Sequence, residues 1–127
     1  MNKTIFCTGV FFGVLAVVLG AFGAHGLGNL LSSGEIETFK TGVTYQMYHA
    51  LLLLILGNVK SIPEEKKKLV YYFIVSGIVF FSFSIYLLAT NSLTGFDFTT
   101  IGFITPIGGL LLILGWLFLG YRAYRKF

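Results

Sequence analysis

The first apolar run of the chain, from about Thr4 to Ala24, constrains the fold most strongly. It is about 20 residues long, which is the length that a helix needs to cross the hydrocarbon core of a membrane. Lys3 precedes the run and small residues end it, as in a signal peptide, but the apolar region of a signal peptide has only about 7–15 residues. The run therefore predicts a membrane-spanning helix.

The composition extends this prediction to the whole chain. Hydrophobic residues make up 56% of the sequence and charged residues only 11%, whereas a soluble domain carries about 25% charged residues. Too few polar side chains remain to cover a surface that faces water. We therefore predict one all-α integral membrane domain over residues 1–127, an antiparallel bundle of four transmembrane helices at about residues 4–24, 33–57, 69–90 and 101–121.

Local signals mark the ends of these helices. Ser32, with Glu35 three residues later, forms a capping box, which predicts that a helix starts after Ser32. The loop before the fourth helix has one acid, Asp97, and no Lys or Arg. Pro106 cannot donate a hydrogen bond to the carbonyl of Gly102, so we expect the fourth helix to bend there.

The basic residues predict how the chain is threaded. They lie beside the apolar runs, a pattern typical of membrane anchoring and not of nucleic-acid binding. With both termini in the cytoplasm, the outer segments hold only Lys40, and the inner segments hold Lys3, Lys60, Lys66, Lys67, Lys68, Arg122, Arg125 and Lys126. The positive-inside rule therefore predicts a multi-pass plasma-membrane protein with cytoplasmic termini and the lipid bilayer around it.

Small residues form a regular pattern in the first predicted helix. They recur at spacings of four, three, four and three residues, at Gly9, Gly13, Ala16, Gly20 and Gly23. Helices in lipid associate by close approach of their backbones, so a stripe of small residues indicates a helix-packing face. We expect this stripe to lie against a neighbouring helix.

Polar residues at membrane depth are costly, so each of them is a candidate for function. A rise of about 1.5 Å per residue places Gln46, Ser82 and Thr105 about 21–25 Å above the inner surface, at one level of the bundle. Two interpretations stay open: hydrogen bonds that hold the helices together, or a ligand pocket or proton path. The candidate polar cluster comprises His25, Tyr45, Gln46, His49, Ser82, Tyr86 and Thr105.

The two histidines, His25 and His49, lie at predicted depths of about 33 Å and about 16 Å. On straight helices this offset argues against a haem held by both histidines, and a metal site lacks further ligands. His25 is also placed to cap the end of the first helix. The single cysteine, Cys7, excludes an internal disulfide. We predict no catalytic residues, no metal and no cofactor.

Four motifs in order resemble a known family. They are LGAFGAHGL from Leu19, TGVTYQMYHALLLL from Thr41, FSFSIYLLA from Phe81, and TPIGG from Thr105 followed by Gly-Trp. The chain resembles the family catalogued as domain of unknown function 423, small bacterial membrane proteins of the YgdD and YwdK type with relatives like mammalian transmembrane protein 256. The resemblance implies a four-helix protein of the bacterial inner membrane and supplies no activity. Its motif positions are His25, Tyr45, Gln46, His49, Ser82, Ser84, Tyr86, Thr105, Pro106, Gly108, Gly109 and Trp116.

Three functions stay open. The leading hypothesis is a non-enzymatic protein that binds a lipid-like or hydrophobic ligand, or a membrane partner protein. The contact would lie in the outer half of the bundle around His25, Tyr45, Gln46 and His49, where polar and glycine residues concentrate. The second hypothesis is a redox or proton-handling subunit that uses His49, since an imidazole titrates near about pH 6.5. The third is a transporter or channel, which requires a homo-oligomer because four helices hardly enclose a polar pore.

Overall fold

The computed structural model of the chain describes residues 2–93 and 102–126. Every regular element within these residues is helical. Helix α1 spans Lys3–His25 and α2 spans Ser33–Asn58. Helix α3 spans Glu64–Ala89 and α4 spans Ile104–Lys126. The all-helical architecture predicted from the composition is therefore confirmed for the part of the chain that the structure describes.

The capping box predicted at the start of α2 is confirmed. The Ser32 hydroxyl accepts a hydrogen bond from the Glu35 backbone N–H at 3.2 Å, and the Glu35 carboxylate accepts one from the Ser32 N–H at 2.9 Å. These two bonds satisfy N–H groups that have no partner inside the helix, so the helix begins at Ser33.

Helix α3 begins at Glu64 and not near the predicted residue 69, which is a correction. Pro63 occupies the N-cap position, where its missing N–H costs nothing, and Glu64 and Glu65 lie in the first turn, where the helix dipole favours acidic side chains. The three lysines at 66–68 were expected in a loop and lie on the first turns of α3 instead.

A π-helical turn, Val79–Phe83, interrupts α3 between the α-helical segments Glu64–Ile78 and Ser84–Ala89. The Ser84 hydroxyl donates to the Phe80 carbonyl at 2.5 Å, and the Phe81 carbonyl lies 2.9 Å from the same oxygen. Both contacts hold the Ser84 side chain against the backbone of the π-helical turn. No pattern in the sequence predicted this turn.

The expected bend of the fourth helix near Gly102 is wrong. Helix α4 begins at Ile104, so Pro106 lies in its first turn, where backbone N–H groups have no partner inside the helix. Proline marks the start of this helix and does not kink it. The acid Asp97 and the predicted first residue of this helix, Ile101, lie outside the described residues.

The helices pair in antiparallel fashion. The Asn2 N–H donates to the Gly57 carbonyl at 2.8 Å, which places the start of α1 beside the end of α2. Helices α3 and α4 approach closely where a Cβ on Gly77 would lie 2.6 Å from the Leu112 side chain. Helix α2 joins the two pairs, because its Leu53 and Leu56 are fully buried in a core shared with residues of α1 and α3.

Three of the described helices are long and apolar enough to cross a membrane, namely α1, α3 and α4. Helix α2 has the length but not the mean hydropathy, because its middle carries polar residues such as Gln46 and His49. These two side chains are 0% and 4% exposed, so the polar part of α2 is turned toward its neighbours. The outward side of the same helix presents Tyr48, Leu51 and Ile55.

Candidate functional site

Gln46 lies at the centre of the polar residues and connects three helices. Its amide Nε2 donates to the Phe12 carbonyl on α1 at 2.9 Å, and its Oε1 accepts from the Tyr86 hydroxyl on α3 at 2.6 Å. The side chain is completely buried. Since both ends of the amide have partners, Gln46 joins α1, α2 and α3 without leaving an unsatisfied polar group.

Two serines of α3 make further contacts between helices. The Ser82 hydroxyl donates to the Gly42 carbonyl of α2 at 2.8 Å. The Ser84 hydroxyl shares a hydrogen bond of 2.6 Å with the Thr105 hydroxyl in the first turn of α4. A Cβ on Gly42 would lie 2.7 Å from the Tyr86 ring, so the absence of a side chain there lets α2 and α3 approach each other.

His49 is held by a hydrogen bond at each ring nitrogen. Its Nδ1 lies 2.6 Å from the Tyr45 carbonyl, and its Nε2 lies 3.0 Å from the indole Nε1 of Trp116. A carbonyl can only accept and an indole N–H can only donate, so the proton of the ring must be on Nδ1. The arrangement therefore requires a neutral imidazole, which joins α2 to α4.

A groove of about 280 Å³ opens beside this pair, between α2 and α4. Phe81 of the π-helical turn forms part of its wall and packs against the Tyr45 ring with centroids 5.3 Å apart. Trp116 and Ile113 are about half exposed along its edge, at 49% and 56%. The groove is lined by Tyr45, His49, Phe81, Gly109, Leu112, Ile113 and Trp116.

The seven candidate polar residues do not form one cluster. Gln46 and Tyr86 are bonded to each other, Ser82 and Thr105 bond to other groups nearby, and His49 faces Trp116. Tyr45 contributes its backbone carbonyl to His49, while its side chain is 42% exposed.

His25 lies apart from the other candidates, exposed in the last turn of α1. Gly13 of α1 lies level with Ala50 of α2, and the 12 residues from Gly13 to His25 rise by about 18 Å. His25 and His49 are therefore too far apart to hold one group between them. Within residues 2–93 and 102–126, no three His, Cys, Asp or Glu side chains gather as a metal site requires.

The small-residue stripe of α1 lies along α2. A Cβ added to Gly9 would lie 2.9 Å from the Ala50 carbonyl oxygen, and one added to Gly23 would lie 2.8 Å from the Phe39 ring. Ala16 is fully buried between them. At Gly13 and Gly20 the nearest atoms would be 3.9 Å and 3.4 Å away, so the two helices are closest near the ends of the stripe.

Trp116 is the residue of this site that the candidate cluster omitted. Counting residues from the basic ends places Trp116 about 9 Å and His49 about 16 Å from the inner surface, so depth alone does not pair them. The available signal was chemical, because Trp116 is the single tryptophan of the chain and an indole N–H in an apolar helix needs an acceptor.

Comparison with known proteins gives a family and no activity. The family model described as "Protein of unknown function (DUF423)" matches residues 19–109. A UPF0382 membrane protein of Staphylococcus saprophyticus is 43% identical over 123 residues, which is 97% of this chain and 98% of the relative. UPF0382 membrane proteins of Staphylococcus aureus and Staphylococcus epidermidis are 38% identical over 123 residues and 40% identical over 117 residues, covering 97% and 92% of both chains. No solved structure matches the chain significantly.

Proposed function

This chain belongs to the DUF423 family, whose staphylococcal relatives are named membrane proteins, and from that premise we propose that it is a four-span membrane protein that binds a neutral lipid-like ligand. The proposal places the ligand in the groove between α2 and α4. The observation that carries it is an outward-facing apolar groove whose polar wall is a bonded His49–Trp116 pair.

The proposal requires α2 to be the fourth membrane-spanning helix. Its 26 residues correspond to about 39 Å, which exceeds the hydrocarbon thickness of about 30 Å. The residues that lower its hydropathy, Gln46 and His49, are buried and hydrogen-bonded. Polar residues that face the bundle interior and have partners are the ones that membrane helices tolerate.

An even number of spans places both termini on one side, and we propose that this side is the cytoplasm. Asn2 contacts both Gly57 and Glu64, so the start of α1, the end of α2 and the start of α3 lie at the same end of the bundle. Eight of the nine basic residues belong to segments at this end, and Lys40 is the exception. The positive-inside rule assigns such an end to the cytoplasm.

The walls of the groove favour a neutral, mostly apolar ligand. Phe81, Leu112 and Ile113 offer apolar surface, and neutral His49 leaves the groove without a formal charge. A ligand hydroxyl could donate to His49 Nε2 in place of Trp116, and a ligand carbonyl could accept from the indole. Small-molecule sites combine an apolar lining with a few such polar groups.

The experiment uses the fluorescence of Trp116, which is the only tryptophan. A dibrominated long-chain alcohol is titrated into the purified protein in mild detergent, because bromine quenches indole emission on contact. In Gly109→Leu the new side chain fills the groove, whereas in Gly120→Leu it points into open space on the same helix. We expect saturable quenching in the wild-type protein and in Gly120→Leu, and its loss in Gly109→Leu.

Equal, non-saturable quenching in all three proteins would contradict ligand binding and would leave His49–Trp116 as a structural link between helices.

The same signal tests the proton-handling alternative. Protonation of Nε2 would break the bond to the indole and change its emission. We expect the emission to stay constant from about pH 5 to 8, where an unperturbed histidine titrates, and a titration in this range would favour proton handling.

A further inference from the structure

A second recess lies at the basic end of the bundle, between α1 and α3. This inner crevice has a volume of about 150 Å³ and is lined by Asn2, Thr4, Ile5, Lys68, Tyr71 and Tyr72. It is separate from the groove beside Trp116 and shares none of its lining residues. Ile5 is 2% exposed and gives the crevice an apolar floor beneath a polar mouth.

The acidic group nearest to this crevice is already neutralised. Glu64 accepts from the Asn2 amide at 2.6 Å and pairs with the Lys67 ammonium at 3.1 Å. The Lys67 side chain is buried at 1% exposure, whereas the Glu64 side chain is 58% exposed at the surface. Among the residues that the structure describes, Lys67–Glu64 is the one ion pair, so the Lys68 side chain at the crevice has no acidic partner among them.

The hydroxyl groups around the crevice have distinct roles. The Thr8 hydroxyl donates to the Thr4 carbonyl at 2.8 Å, so in its 3.0 Å contact with Tyr71 it accepts the tyrosine proton. The Tyr71 hydroxyl therefore donates its proton to Thr8 and has none left to donate to a ligand. The donors that remain for a ligand include the Lys68 ammonium and the hydroxyls of Thr4 and Tyr72.

We propose that the inner crevice binds the phosphate group of an anionic phospholipid. The charge of the site is positive, an ammonium and two hydroxyls suit phosphate oxygens, and Ile5 with the tyrosine rings suits the glycerol and first methylenes of the lipid. The segments at this end carry most of the basic residues of the chain, which raises the local concentration of anionic lipid. A zwitterionic lipid offers the same phosphate but brings a second ammonium next to Lys68.

The test is native mass spectrometry of the full-length protein in mild detergent, titrated with phosphatidylglycerol or with phosphatidylcholine of the same acyl chains. Wild-type protein should retain phosphatidylglycerol preferentially. Lys68→Gln should weaken its binding about fivefold, which corresponds to about 1 kcal/mol for one basic residue near an anionic membrane surface, and Lys68→Arg should restore it. Lys66→Gln is the matched control, because it removes one charge from the same helix outside the crevice.

Three results would overturn the proposal. Equal weakening in Lys66→Gln and Lys68→Gln would indicate diffuse attraction to the basic end. Equal retention of both lipids by the wild-type protein would exclude charge recognition. Full displacement of the lipid by inorganic phosphate would assign the site to a free anion. None of these results depends on the groove beside Trp116, so the two proposals can fail independently.

Discussion

At the scale of single residues, the polar side chains of α2 are matched with partners on three other helices. Gln46 bonds to α1 and α3, and His49 bonds to α4. The sequence predicted Gln46, His49, Ser82 and Tyr86 as members of a polar cluster that either bonds helices together or forms a ligand pocket or proton path. It could not predict that Gln46 donates to the Phe12 carbonyl, because a backbone acceptor leaves no signature in the sequence.

Removal of the Tyr86 hydroxyl should destabilise the bundle, because it leaves the buried Oε1 of Gln46 without its donor. We expect Tyr86→Phe to lower the free energy of unfolding by about 0.6–1.7 kcal/mol, from the average to the maximum measured for hydrogen bonds between membrane helices. Tyr48→Phe is the control, since Tyr48 is 56% exposed on the outer side of α2. Unfolding in a denaturing detergent measures both, and equal effects would contradict a specific Gln46–Tyr86 bond.

Glu35 should make the Ser32 end of α2 sensitive to acid. It lies in the first turn of α2, where the Ser32 N–H and then the Ser92 hydroxyl donate to its carboxylate and lower its pKa below the usual 4.5. A carboxyl with a lowered folded-state pKa stabilises the fold above its unfolded-state pKa and loses that contribution as the pH falls through the lowered value. We therefore expect the thermal midpoint to fall below pH 4.5.

Thermal unfolding of Glu35→Gln provides the comparison for this prediction. Glutamine keeps an oxygen acceptor and cannot titrate, so the variant should show a smaller fall of the midpoint over the same pH range. The effect should be small, because Glu35 lies at the surface, partly exposed, and its bonds compete with water. An identical pH dependence in both proteins would show that Glu35 does not carry it.

At the scale of helices, close backbone approach determines the packing. The stripe of α1 was read from residue spacing alone, but the spacing does not reveal that Gly9 and Gly23 are tight while Gly13 is loose. That difference depends on the angle and position at which α1 crosses α2, and residue spacing along one helix does not predict either of them. The π-helical turn of α3 could not be predicted for the same reason. Gly108 of α4 lies directly against the backbone of Phe80 and Phe81 in this turn, and that contact between two helices has no signature in the local sequence.

The alanine variants of two glycines in α1 test this packing. In Gly9→Ala the new methyl group would lie 2.9 Å from the Ala50 carbonyl oxygen, so α1 and α2 must separate. We expect a loss of about 1–3 kcal/mol, as for other overpacked interfaces. In Gly13→Ala the nearest atom is 3.9 Å away, and the effect should be near zero. Thermal stability in detergent distinguishes them, and a larger loss at Gly13 would contradict the described contact.

At the scale of the whole molecule, the number of membrane spans depends on α2. Hydropathy identifies α1, α3 and α4 as candidate spans and does not identify α2. The sequence nevertheless predicted a fourth span at about residues 33–57, because the helix that starts at the Ser32 capping box continues into an apolar run. The four-helix fold thus follows from apolar runs and a helix cap. The groove between α2 and α4 also depends on the π-helical turn of α3, because Phe81 of that turn forms part of its wall. No local sequence pattern predicts this turn.

The measurement that tests the four-span account most directly is the location of the two ends of α2. Native Cys7 is replaced by serine, and single cysteines are placed at Gly34, where added atoms meet nothing within 4 Å, and at exposed Ser61. A membrane-impermeant thiol reagent is then applied to right-side-out and inverted vesicles. We predict that Gly34→Cys reacts only from outside and Ser61→Cys only from the cytoplasmic side. Reaction of both cysteines from the same side would contradict a membrane-spanning α2, and with it the four-span bundle.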